Sequence, residues 1–269
     1  MIEVKNITKT FGGFRAVDDI SFSVEAGENM IFLGKSGCGK TTLLKMINRL
    51  IEPDTGEIRI DGTVVNDQDP AVLRRKIGYV LQNTGLFPHY TVAENIAVVP
   101  RLLGWDKDKI RERTRTLLEK LHLPPDKYFS SYPHQLSGGQ QQRIGLARAL
   151  AAYPPVLLMD EPFGALDPIT RASVKKDFKE LDELRTKTII LVTHDVQEAF
   201  ELGDRICLLD KGKIVQMGKP AELLYHPANA YVTDFFEDQR FQLEVKMMDA
   251  TDYPALMRAF THLKNRTNA

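Results

Sequence analysis

The sequence predicts an α/β protein built on a parallel β-sheet with helices packed against it, and carrying a separate α-helical subdomain. Three observations lead there. Strand-like and helix-like segments alternate after residue 156, the pattern of βαβ units. A glycine-rich loop, Gly34-Lys35-Ser36-Gly37-Cys38-Gly39-Lys40-Thr41, joins an apolar strand pattern to a helical one. Between about residues 85 and 155 the pattern changes to helices alone, so this stretch folds apart from the sheet.

Taken in order, the first 84 residues read mostly as strands: Ile2 to Ile7, Ile20 to Val24, Met30 to Leu33, Glu57 to Ile60 and Ile77 to Leu81. Turns fall at Gly12-Gly13, Ala26-Gly27, Asp54 to Gly56 and Asp61-Gly62, where glycine tolerates the backbone angles a turn requires. The glycine-rich loop and a helix from Thr42 to Leu50 interrupt this β-rich half. In the helical stretch, Asp108 to Leu121 offers Ile110, Leu117, Leu118 and Leu121 to one face, and Gln140 to Ala152 forms a second helix. Then come Val156 to Met159, Thr170 to Arg185, Thr188 to Val192, Val196 to Leu202 and Arg205 to Leu209, strand and helix in turn. An amphipathic segment near Tyr253 to Leu263 lies in the tail.

Composition narrows the function. Lys+Arg and Asp+Glu both number 36, which leaves no bulk charge to attract nucleic acid. Two cysteines, Cys38 and Cys207, make no disulfide framework and suit a reducing cytoplasm. Residues Met1 to Thr8 alternate like a strand and do not read as a secretion signal. Arg143, Arg148 and Pro154-Pro155 break the longest apolar stretches short of the roughly 20 residues that cross a bilayer. Action at a membrane would require another chain to supply the span.

The glycine-rich loop fits G-x-x-x-x-G-K-[ST] in full. Its glycines let successive N–H groups face one anion, and the helix start adds a positive dipole end. Lys40 would reach β- and γ-phosphates, and the Thr41 hydroxyl would ligate Mg²⁺. Val156 to Met159 is a buried-strand run ending in Asp160 and Glu161, which brings carboxylates to the edge of a parallel sheet. Asp160 would hold the metal, and Glu161 would polarise a water attacking the γ-phosphate. Leu136-Ser137-Gly138-Gly139-Gln140 opens a helix and reads either as an ordinary cap or as a second anion site.

Gly34 to Thr42, Leu136 to Arg143 and Met159-Asp160-Glu161-Pro162 occur in the order and approximate spacing of an ATP-binding-cassette (ABC) ATPase. The chain resembles that family over about residues 1 to 235. The resemblance implies a P-loop core with an antiparallel β subdomain in residues 1–237, a helical subdomain inserted at about 86–155, and a C-terminal tail at 238–269. It also implies site roles: Phe11 stacking on adenine, Val17 beside the ribose, and Gln82 sensing Mg²⁺. Asp167 would belong to the loop that crosses to the partner subunit, and His194 would contact the γ-phosphate. Two cassettes would close head to tail, with each ATP held between Lys40 of one subunit and Ser137, Gly138, Gly139 and Gln140 of the other.

The partners implied are a second copy, transmembrane permease subunits and, through these, a solute-binding protein, with the chain peripheral on the cytoplasmic face of the plasma membrane. Leu86, Phe87 and Tyr90 would suit a groove receiving a short helix of the permease. The stretches after Gln82, at Val98 to Trp105 and at Phe163 to Arg171 resemble importers of glycine betaine, choline or carnitine. Importers of amino acids or other small solutes, and soluble ABC ATPases of translation or DNA repair, are the alternatives. Members of the quaternary-amine group often continue into paired regulatory domains, for which the tail has no room. The chain would then either lack that control or be a fragment, with Asp249 to Leu263 a dimer contact or a solvated tail.

Overall fold

The computed structural model describes residues 2–247. Among the described residues two sheets are formed. β1 (Ile2–Phe11) and β2 (Phe14–Val24) make a hairpin turned by Gly12 and Gly13, whose φ values of 53° and 85° lie in the left-handed region that glycine enters freely. After β3 (Asn29–Leu33) and α1 (Lys40–Ile47), β4 (Thr55–Ile60) and β5 (Thr63–Val64) complete an antiparallel sheet in the order β2-β1-β4-β5. The short α2 (Pro70–Arg75) leads into β6 (Ile77–Val80).

Four helices separate β6 from the next strand: α3 (Val92–Leu102), α4 (Lys107–Lys120), α5 (Pro125–Tyr128) and α6 (Gly138–Leu150). α3 begins at a capping box in which Thr91 and Glu94 satisfy each other's backbone N–H groups. The order is then β7 (Val156–Asp160), α7 (Pro168–Glu180), β8 (Thr188–Thr193), α8 (Val196–Leu202), β9 (Arg205–Asp210) and β10 (Lys213–Gly218). α9 (Pro220–Tyr225), α10 (Ala230–Glu237) and α11 (Arg240–Met247) follow. The second sheet runs β10-β9-β3-β8-β7-β6, parallel except for the β10 edge.

Alternation along the central strands divides the core. Met30 and Phe32 of β3 join Leu43, Leu44 and Ile47 of α1 and Ile2, Val4 and Ile7 of β1 between the two sheets. Ile31 and Leu33 face the opposite way, with Leu117 and Leu118 of α4, Ile144 of α6 and Phe163. Strands buried on both faces explain their continuous apolar sequences.

Several expectations need adjusting. β2 starts at Phe14 instead of Ile20, and α7 stops at Glu180 before a separate 3-10 turn over Asp182–Thr186. α3 is masked in the sequence by Pro100, which sits inside the helix in its last turn, where it forgoes one backbone hydrogen bond two residues before the helix ends. Among the described residues, no helix is long and apolar enough to cross a membrane. The segments Asp249 to Leu263 and Tyr253 to Leu263 lie outside the described residues.

Candidate functional site

The glycine-rich loop spans the end of β3 and the start of α1, and Gly34 and Gly39 are required in it for steric reasons. Gly34 has φ 153° and Gly39 φ 106°. A Cβ at Gly34 would collide with the Leu209 carbonyl oxygen, and one at Gly39 with the Ala16 carbonyl oxygen. Gly39 caps α1 in the left-handed conformation, so the helix opens toward the loop. Lys40 is buried, and its Nζ donates to the Gly34 and Lys35 carbonyl oxygens at 2.8 and 2.9 Å. The ammonium is thereby folded into the curve of the loop. Lys35, Ser36 and Gly37 are exposed along it, whereas Cys38 is buried with Sγ 3.8 Å from Lys40 Nζ. Burial pushes the Cys38 thiol above its ordinary pKa, and it pushes Cys207 up to about 12, so both are packing residues.

β7 delivers Asp160 beside this loop. Thr41 Oγ1 donates to Asp160 Oδ1 at 2.7 Å, joining residues 119 apart in sequence. Burial raises the Asp160 pKa, while the Thr41 hydrogen bond opposes that shift. Glu161 follows at φ 44°, a rare conformation for a residue with a side chain. Its N–H donates to Val192 O at 3.0 Å and its carbonyl accepts from Gly164 N at 3.1 Å, which fix that geometry. Glu161 Oε2 then lies 3.2 Å from both Gln82 Nε2 and His194 Nδ1. Gln82 stands just beyond β6 and His194 just beyond β8, so three adjacent parallel strands converge on one carboxylate. The carboxyl ends of parallel strands are where open α/β sheets collect their ligand-binding side chains.

Other residues fall elsewhere. Ser137 and Gln140 form a capping box at the start of α6, Ser137 Oγ accepting from Gln140 N at 3.3 Å and Gln140 Nε2 donating to Tyr128 Oη at 3.0 Å. Gly139 lies against Thr170, where a Cβ would clash with the threonine methyl, and Gly138 lies beside Leu166. Asp167 caps α7, and its hydrogen bonds from Thr170 and Ile169 hold its carboxyl below the ordinary range. These residues share a second surface, formed by the α6 start and the loop before α7. Phe11 is 46% exposed at the end of β1, with Lys9 Nζ 5.5 Å from its ring centroid. Thr42 is half-buried on α1.

Val17 requires a correction. Its side chain is wholly buried between the sheets and supports Gly39 from beneath, so it does not present a surface to a ribose.

Two positioning residues were not identified from sequence. Asn95, fully buried, donates to the carbonyls of Phe87, Tyr90 and Thr91 and accepts from Phe87 N at 2.8 Å. Arg148 donates to the Thr84 and Gly85 carbonyls at 2.8 and 2.7 Å. Together they pin the segment that follows Gln82. A polar residue at the buried position of a helix, Asn95 before Ile96, was the available signal.

The chain matches the pattern of the ABC transporter family over residues 17–164. It is 54% identical over 241 residues to the glycine betaine/carnitine/choline transport ATP-binding protein of Bacillus subtilis, covering 89% of this chain and 63% of that one. Identity to the osmoprotectant import ATP-binding protein OsmV of Salmonella typhimurium is 50% over 257 residues, 94% of this chain and 67% of the relative. The chain thus spans less than two-thirds of the length of the Bacillus relative. Among solved structures, a dimeric post-hydrolysis state of the ATP-binding cassette MJ0796 bound to ADP and Pi superposes with a TM-score of 0.73 at 36% identity, over 82% of this chain and 99% of that one. With its glycine-rich loop, paired acids and converging strand ends, the chain belongs to the ABC transporter family of ATP-binding proteins.

Proposed function

We propose that this chain is the ATP-hydrolysing subunit of a membrane importer, and that its cargo is glycine betaine or a related quaternary amine. The observation that carries the ATPase part is the convergence of Gln82 and His194 on Glu161 beside the Thr41–Asp160 pair. The donor set suits Mg²⁺, a hard cation that takes oxygen ligands and usually binds through one or two protein oxygens and substrate phosphates. Thr41 Oγ1 and Asp160 Oδ1, 2.7 Å apart, and the Gln82 amide oxygen would hold it. When bound, the ion neutralises phosphate charge.

The loop N–H groups and Lys40 bind the phosphates of ATP and stabilise charge on the γ-phosphoryl group. Glu161 orients a water and takes its proton as the water oxygen bonds to the γ-phosphorus. The bond from that phosphorus to the β–γ bridging oxygen breaks, giving ADP and inorganic phosphate. His194 holds the Glu161 carboxylate and the attacking water in line. Ser137, Gly138 and Gly139 contribute their helix start to the nucleotide of a second copy, so turnover needs a head-to-tail dimer, and Asp167 lies on the same contact surface. The dimeric cassette structure supports that arrangement.

Phe87 and Tyr90, 5.3 Å apart and 47% and 43% exposed, support docking of a permease helix, while Leu86 packs inward. The importer places this chain on the cytoplasmic face, with a solute-binding protein delivering cargo to the permease. Two relatives named for glycine betaine or osmoprotectant transport support the cargo assignment. Its test is uptake of labelled glycine betaine at high osmolarity by cells whose only copy of the chain is native or Lys40→Ala. Uptake that needs Lys40 and yields to competing choline is the expected result; uptake indifferent to Lys40 overturns it.

A further inference from the structure

We propose that Glu198 is a positioning residue for His194, acting through the hydroxyl of Thr193; the inference rests on the ATPase reading above. Three hydrogen bonds close a small ring around the turn that carries the histidine. Thr193 Oγ1 donates to Glu198 Oε2 at 2.7 Å and accepts from Asp195 N at 3.0 Å, and Asp195 Oδ1 accepts from Glu198 N at 3.1 Å. His194 is the residue enclosed between Thr193 and Asp195. Its own side chain is 59% exposed and reaches Glu161 Oε2 at 3.2 Å, so little besides the backbone of this turn fixes its direction.

The burial of Glu198 needs a reason. At 3% exposure it occupies a position on α8 where Val196, Ala199 and Leu202 already supply the packing face. Burial raises its pKa, and the Thr193 hydrogen bond opposes that shift. The cations facing it, Lys175 and Arg171, hold Glu201 at 2.8 Å and Asp195 at 3.6 Å. An apolar residue at 198 would serve helix and core better, because a buried carboxyl costs free energy that packing does not return. What the carboxyl supplies is a fixed rotamer for Thr193, whose hydroxyl otherwise turns freely between its neighbours. The Glu161 N–H is held separately, by Val192 O on the strand itself, so the ring bears on the His194 side of the His194–Glu161 pair.

The test is ATP turnover by the full chain carrying Thr193→Val, Thr193→Ser, Glu198→Gln or the double change Thr193→Val with Glu198→Leu. Misplacement of a reacting group by about 1 Å costs on the order of 100-fold in rate. We expect Thr193→Val and the double variant to lower kcat by about 10- to 100-fold, with KM for ATP within about 2-fold, because phosphate binding is undisturbed. Thr193→Ser and Glu198→Gln keep the donor and acceptor and retain most of kcat. The double variant removes the buried carboxyl together with its hydroxyl donor and leaves only the Asp195 N–H to find another acceptor, which keeps the test valid if Thr193→Val alone folds poorly. In a His194→Ala background, Thr193→Val should cost no more than about 2-fold, since its effect passes through the histidine. If Thr193→Val and the double variant turn over at the native rate while His194→Ala is slow, the inference falls and the ATPase reading stands. If Thr193→Val slows the His194→Ala protein as much as the native one, the ring supports the fold only and the inference also falls. If neither the native protein nor any variant hydrolyses ATP, both readings fall.

Discussion

The most exacting stability prediction concerns the ion pair that ties the helical subdomain to the sheet. Arg113 on α4 is 6% exposed and donates to both oxygens of Glu183 at 2.7 and 2.6 Å, while its remaining N–H groups reach the Leu150 and Ala151 carbonyls. Lys120 adds a bond to Glu183 at 3.0 Å, and the guanidinium stacks 3.8 Å over Tyr153. Burial alone would raise the Glu183 pKa, but the hydrogen bonds from Arg113 and Lys120 outweigh it and hold the carboxyl at about 2, against an ordinary 4.5. A shift of that size corresponds to about 3.4 kcal/mol at most. Lys120 is 40% exposed, and solvent screening along that flank reduces the contribution to about 2 kcal/mol. Glu183→Gln keeps an acceptor but leaves Arg113 buried without its counter-charge. It should therefore cost about 2–3 kcal/mol at pH 7.

Because the folded pKa is depressed, the contribution is complete above about pH 4.5 and is lost as pH falls toward 2. The gap between native protein and Glu183→Gln should narrow to roughly three-fifths of its neutral value at pH 3.5. Urea unfolding of both proteins across pH 7 to 3.5 measures it, with a melting temperature about 4–8 °C lower at neutral pH as a second readout. Equal stability at pH 7, or a gap that widens on acidification, would refute this account of the pair.

Two further predictions concern the glycine-rich loop and the start of α6. Gly39→Ala combines a φ of 106° with a Cβ on the Ala16 carbonyl, so it should destabilise by about 2 kcal/mol or more and abolish nucleotide binding. Thermal melting and fluorescent-nucleotide titration read both effects, and a native melting temperature would contradict the steric argument. Ser137→Ala removes the acceptor for Gln140 N, at about 1 kcal/mol of helix capping, yet should reduce turnover far more than nucleotide binding by the monomer. Equal loss of both activities would remove Ser137 from the site of a second copy.

Much of the site was legible because its chemistry is local. The phosphate loop, the Asp160-Glu161 strand end and the Ser137 helix start each carry composition that their backbone geometry demands. Their union was less legible, since Thr41 and Asp160 meet only through the parallel order of β3, β8 and β7. Val17 was misread because an alternating strand leaves its facing undetermined until the register is known, and the register turns it inward. Asn95, Arg148 and Glu198 act on backbone groups or on a neighbour's hydroxyl, contacts that leave no spacing in the sequence. The strands were readable where both faces are apolar, whereas α3 was obscured by Pro100.

The central claim is that Glu161 is the general base of an ATP hydrolysis carried out by this chain. ATP turnover with Mg²⁺, and ATP-dependent association measured by light scattering, should be compared for the native protein and Glu161→Gln. The account predicts steady turnover by the native protein, and for Glu161→Gln undiminished ATP binding, turnover lowered by at least about 100-fold and a stable ATP-bound dimer. Native turnover by Glu161→Gln would contradict it.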